Sequence, residues 1–110
     1  MNNDIHEFLF SIGVSQSYTG YPYFISAVER IMEDRSRLSR IRRDIYLPLA
    51  DQYNTSLSSV EKDIRTIRDV IIRNNGLKLL EKESGRRLYY SDPPFPKEVL
   101  EIFAVCFDKS

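Results

Sequence analysis

Apolar residues recur along most of this chain at intervals of three and four, the spacing of one helix face, and hardly anywhere at the alternate positions a strand would use. Ile5, Phe8, Leu9 and Ile12 form the first such face, with Asp4 and Glu7 as a start signal and Gly13 as a stop. Phe24, Ala27, Val28 and Ile31 repeat the spacing after Pro22, which suits a first helical turn. Asp34 or Ser36 can cap a third helix carrying Leu38, Ile41 and Ile45. Pro48 marks a break there, then suits the start of a short helix through Leu49, Ala50 and Tyr53. Ser56 stands where an N-cap belongs, ahead of the longest stripe: Leu57, Val60, Ile64, Ile67 and Ile71. Asn74-Asn75-Gly76 ends that helix with residues that tolerate the left-handed conformation. Leu77, Leu79 and Leu80 suggest a further short segment before Gly85, and Val99, Leu100, Phe103 and Cys106 or Phe107 mark a last helix after Pro93, Pro94 and Pro96. The pattern predicts an all-α domain of six or seven helices. Residues 77–90 have a second solution, two strands around Ser84-Gly85 forming the wing of a winged helix.

With 110 residues and no internal repeat or linker, one domain spanning 1–110 is expected. No apolar run approaches the roughly 18 residues of a membrane span, and the N-terminus has no signal-peptide pattern. One cysteine, Cys106, excludes an internal disulfide framework and points to a reducing compartment. A cytoplasmic protein is the expectation. The net charge is zero, yet it is segregated: −4 over residues 1–34, +6 over 35–87 and −2 over 88–110. A basic middle can hold a positive face that the total hides.

Catalysis finds little support in these residues. The one histidine, His6, falls on the polar side of the first helix, and Cys106 lies in an apolar helix where a small buried hydrophobe is the expected role. No glycine loop cradles a phosphate, and one His with one Cys makes no zinc site. No enzyme activity, metal or cofactor is expected.

The informative stretch is about residues 48–73, where a short helix, the polar turn Asn54-Thr55 and a capped longer helix have helix-turn-helix spacing. In that arrangement the second helix, 57–73, enters the DNA major groove. With Val60, Ile64, Ile67 and Ile71 inward, Ser58, Lys62, Arg65 and Asp69 lie opposite, bordered by Ser59, Glu61 and Thr66. Lys62 and Arg65 can donate to guanine O6 and N7, and Glu61 can accept from cytosine N4. Thr55 and Ser56 at the turn, with Arg37, Arg40, Arg42 and Arg43 in the helix before it, are the candidates for phosphate contacts. A solvated amphipathic helix with a mixed polar face is the competing reading.

Several stretches in order resemble the family of C-terminal DNA-binding effector domains of the sporulation initiation response regulator, stage zero sporulation protein A. Ile12-Gly13-Val14, Gly20-Tyr21-Pro22-Tyr23-Phe24 and Ala27-Val28 resemble the start of that domain. Ile45-Tyr46, Leu49-Ala50 and Tyr53-Asn54-Thr55-Ser56 resemble its first motif helix and turn, and Val60-Glu61-Lys62 with Ile64-Arg65 its recognition-helix core. Pro94 with Glu98-Val99-Leu100 resembles the start of its last helix. The resemblance implies a six-helix domain with residues 77–84 helical, and sequence-specific binding to double-stranded promoter DNA by two copies on adjacent sites. It also implies that Glu61, Lys62 and Arg65 read bases and that Ser58 matches a serine of the reading helix. Ser59 stands where the family usually has arginine, Lys62 replaces an arginine and Thr66 a histidine, so affinity or site preference is expected to differ. The proline that follows Tyr46 directly in the family stands one place later, at Pro48. With 110 residues from a methionine, no receiver domain and no phosphorylation control are expected. The alternative function is a protein-interaction module of the same fold that modulates a full-length regulator; the apolar surplus of the last helix, Leu100, Ile102, Phe103, Val105 and Phe107, motivates it.

Overall fold

Helix α1 (Asn3–Ser11) opens the computed structural model, which describes residues 3–108. It is followed by α2 (Tyr21–Glu33), a 3-10 segment (Arg35–Arg40), a π turn (Arg42–Tyr46), α3 (Leu47–Gln52), α4 (Leu57–Arg73), α5 (Gly76–Ser84) and α6 (Pro96–Phe107). Among the described residues there is no strand, so the fold is all-α, and residues 77–84 are helix rather than half of a wing. Asn75, at φ +56°, supplies the left-handed turn between α4 and α5, and Gly76 opens α5. None of these helices is long and apolar enough to cross a membrane.

The apolar stripes meet in one core with a Cα radius of gyration of 12.9 Å. Helices α2 and α6 lie at its centre, where Phe24 and Phe103 pack edge to face at 5.1 Å and Phe8 of α1 joins Phe103 at 5.8 Å. Leu100, Ile102 and Phe103 of α6 are buried and Val105 and Phe107 are half-buried, so packing within the domain accounts for most of that helix's apolar surplus. Ile5, Leu9, Val28, Ile31, Ile64, Ile67 and Ile71 are likewise closed off from solvent.

The segment between α2 and α3 departs from the sequence pattern. The spacing predicts an α-helix to Ile45 and a break at Pro48, whereas the chain winds without a break from Arg35 to Gln52, first as 3-10 helix and then through the π turn. Asp34 caps its start, accepting the Ser36 N–H at 3.0 Å. Proline lacks the N–H that would bond the carbonyl four residues back, and its ring crowds that carbonyl. The π turn widens the helix at that point, with the Leu47 N–H bonding Arg42 O, five residues back. The carbonyl orphaned by Pro48 belongs to Asp44, and Arg30 of α2 fills the vacancy from Nε at 3.3 Å and Nη2 at 3.2 Å. Helix therefore continues through a residue that ordinarily ends one.

Candidate nucleic-acid interface

Helix α4 begins where its sequence says it should. Ser56 Oγ accepts the Ser59 N–H at 3.1 Å and donates to Ser59 Oγ at 2.9 Å, satisfying an orphan donor of the first turn. Ahead of it Asn54 takes the left-handed conformation at φ +53°, and the Thr55 N–H bonds Ala50 O at 2.9 Å. This turn carries the chain from α3 into α4. Tyr53 steadies it from the α2 side, with its hydroxyl 2.9 Å from Ser26 Oγ and its ring edge to face with Tyr23 at 5.0 Å.

At about 100° per residue, the inward stripe of α4 leaves Ser58, Lys62, Arg65 and Asp69 on one outer strip. All four are exposed, as are Thr66 and Arg73. Ser59 and Glu61 border the strip half-buried. Thr66 bonds its hydroxyl back to Lys62 O at 3.2 Å, leaving an oxygen lone pair outward. Lys62 and Arg65 have no acid partner among the described residues.

The acids near this strip are largely neutralised. Arg42 Nε lies 3.0 Å from Glu61 Oε2, and Arg68 Nε 2.7 Å from Asp69 Oδ1. Such surface pairs add at most about 1 kcal/mol to stability, but each offsets a charge that would repel phosphate. Arg68 also donates Nη1 to Pro94 O at 2.7 Å, tying the segment before α6 to α4.

The four arginines singled out upstream divide. Arg37 is half-buried and committed inside the fold, with Nη1 2.9 Å from both Arg30 O and Glu33 Oε1. Arg42 is taken by Glu61, and Arg43 pairs with its neighbour Asp44 at 2.9 Å. That contact, the largest influence on Asp44, holds the carboxyl below the usual carboxylate range. Arg40 is exposed and makes no ion pair among the described residues, although its charge also helps to hold the Asp44 carboxyl down.

Sequence reasoning missed four residues that set the position of α4. Arg30 secures the π turn; the signal was a lone base in an acidic segment and a proline that orphans a carbonyl. Arg68 anchors the segment before α6. Tyr46, on the π turn, is buried beside Glu61 and Arg65, and burial first, then the Glu61 charge, pushes its hydroxyl up to about 12. Gly20 lets the start of α2 touch α4: a Cβ there would stand 2.3 Å from the Asp63 carbonyl oxygen.

The only histidine and cysteine do not form a reactive pair. His6 does not simply face solvent; its Nδ1 lies 2.6 Å from the Tyr21 hydroxyl. Cys106 is half-buried in α6, and burial pushes its thiol up, away from a nucleophilic thiolate.

An all-helical domain that presents one capped, cation-bearing helix beside a tight turn is consistent with a small DNA-binding module. The chain belongs to the family described as sporulation initiation factor Spo0A C terminal, whose model matches residues 5–105. That family is one of DNA-binding effector domains of transcription regulation in sporulation, which makes this protein a DNA-binding regulator at the level of its family. No solved structure matches the chain.

Proposed function

We propose that this protein is a sequence-reading transcription regulator that places α4 in the major groove of promoter DNA, with α3 and its turn crossing the backbone as a helix-turn-helix. Lys62, Arg65 and Glu61 read base edges, with Ser58, Ser59 and Thr66 beside them. Thr55, Ser56, Arg40 and Arg43 hold phosphates. Arg37 is withheld by its contacts to Arg30 and Glu33. The observation that carries this reading is the outer strip of α4. Its two cations are exposed and make no ion pair among the described residues, while Glu61 and Asp69, acids of the same strip and its border, lie against Arg42 and Arg68. The partner is double-stranded promoter DNA, bound by two copies on adjacent sites, and the working compartment is the cytoplasm. The family is not one of enzymes.

The test is a fluorescence-anisotropy titration against a duplex carrying the family's promoter element and against a scrambled duplex, each at two salt concentrations. Tighter binding to the element, weakening steeply with salt, is expected. Arg65→Ala should lose about 1–3 kcal/mol of specific binding, roughly 5- to 150-fold, with an unchanged circular dichroism spectrum. Normal binding by that variant would show that α4 does not read the DNA.

A further inference from the structure

Arg42 sits on the π turn, and the turn's own bond fixes its backbone, because Arg42 O accepts the Leu47 N–H. The turn is held in place from α2, through Arg30 on the Asp44 carbonyl at 3.2–3.3 Å. From this anchored position the guanidinium reaches α4 and meets Glu61 at 3.0 Å, through Nε. Tyr46, four residues on in the same turn, lies buried near the same carboxylate, and its hydroxyl is pushed up to about 12, by burial first and by Glu61 second. The Glu61 carboxylate thus has the Arg42 guanidinium at ion-pair distance, and its charge is felt at the buried Tyr46 hydroxyl of the same turn. Arg42 pairs ionically with Oε2, and neither carboxylate oxygen has a protein hydrogen bond among the described residues, which leaves Oε1 open. A long carboxylate side chain on a helix surface ordinarily samples several rotamers and repels phosphate. Here it is neutralised and held.

We infer that Arg42 is a positioning residue for sequence specificity: it holds Glu61 so that the free carboxylate oxygen accepts from one cytosine amino group, and it does not serve as a phosphate contact. This rests on the DNA-reading assignment of α4. The chemistry follows from the donor and acceptor pattern of the major groove, where cytosine N4 is the donor a carboxylate selects. The contact is an ion pair without the geometry of a directed hydrogen bond, so it is the Arg42 charge that holds Glu61, and substitution by lysine or alanine separates that charge from the shape of the side chain.

The experiment starts with the wild-type protein selecting duplexes from a random pool, after which each position of the selected site is substituted singly and affinities are measured. One position is expected at which wild type prefers cytosine and Glu61→Ala does not. At that position Arg42→Ala should reduce the preference by about fivefold or more, and Arg42→Lys, which keeps the charge, should reduce it less. In a Glu61→Ala background the same Arg42 changes should have no further effect on preference. The slope of log affinity against log salt should stay unchanged in Arg42→Lys. The opposite pattern overturns the inference: preference intact at every position, with Arg42→Ala lowering the salt slope by about 0.9, the signature of one lost phosphate contact. Arg65→Ala is the control for the underlying reading. If it keeps full specificity, or if wild type enriches no sequence, α4 is not the reading helix, whereas a failure confined to Arg42 overturns only the positioning role.

Discussion

Gly20→Ala is the most direct probe of how α4 is held. The glycine lies at φ −77°, ψ −5°, a backbone any residue adopts, so alanine alone would gain roughly 0.4–1 kcal/mol by restricting the unfolded chain. Its added Cβ, however, would stand 2.3 Å from Asp63 O, 2.7 Å from Asp63 C and 3.1 Å from Ile67 Cγ1. Two of these are backbone atoms of α4, whose hydrogen bonds leave them no freedom to retreat. Reaching ordinary contact requires the start of α2 and the middle of α4 to separate by about 1 Å, the kind of overpacking that costs about 1–3 kcal/mol. Less the gain from the unfolded chain, the net loss reaches about 2.6 kcal/mol, and for a chain of this length, with an unfolding entropy of about 0.23 kcal/mol per degree, that lowers Tm by up to about 11 °C. Gly85→Ala provides the comparison, since nothing lies within 4 Å of its Cβ and the only penalty is the left-handed backbone at φ +72°, about 1 kcal/mol or about 4 °C. Differential scanning calorimetry of both variants decides. A Gly20→Ala protein melting about 2 °C or more above wild type, the gain with no steric cost against it, would refute the close approach of α2 to α4.

Two further outcomes follow from single contacts. Ser56→Ala removes the acceptor of the Ser59 N–H and should cost about 1 kcal/mol, read as a lowered urea midpoint with an unchanged m-value; no loss would mean that the cap is not formed in solution. Tyr46 titrates near 10 when unfolded and near about 12 in the fold, so the folded state keeps its proton while the unfolded state loses it, and stability falls as pH rises from 10 towards 12. The decline attributable to this group approaches about 2–3 kcal/mol, and Tyr46→Phe should remove that share while changing stability at pH 7 little. Urea midpoints between pH 9 and 12 for both proteins check it: parallel curves would refute the assignment.

The helices that carry their own punctuation were legible in the sequence. The stripe from Val60 to Ile71 and the serine at 56 are local signals, and the structure places α4 at Leu57–Arg73 with Ser56 as its cap. The same holds for Pro22 at the start of α2 and for the last helix after Pro96. The pattern over residues 77–90 admits helix or wing because periodicity over so short a run cannot separate the two; burial of Leu77 and Leu80 in the core goes with helix to Ser84, and the described residues beyond it form no strand. Pro48 stands in the first turn of α3 as its sequence context predicts, and only the break expected before it is missing, for a related reason. Its effect on the backbone is local, but the rescue comes from Arg30, 14 residues before the carbonyl it caps. The candidate site divides the same way: the outward strip of Ser58, Lys62 and Arg65 follows from periodicity alone. Which arginines remain available follows from partners such as Glu33 and Glu61, and these are set by how separate helices pack. Sequence alone determined which residues α4 turns outward, because helical geometry repeats every 3.6 residues. Only the tertiary structure decided which of their charges are free, because an ion pair depends on distance in space and not on spacing along the chain.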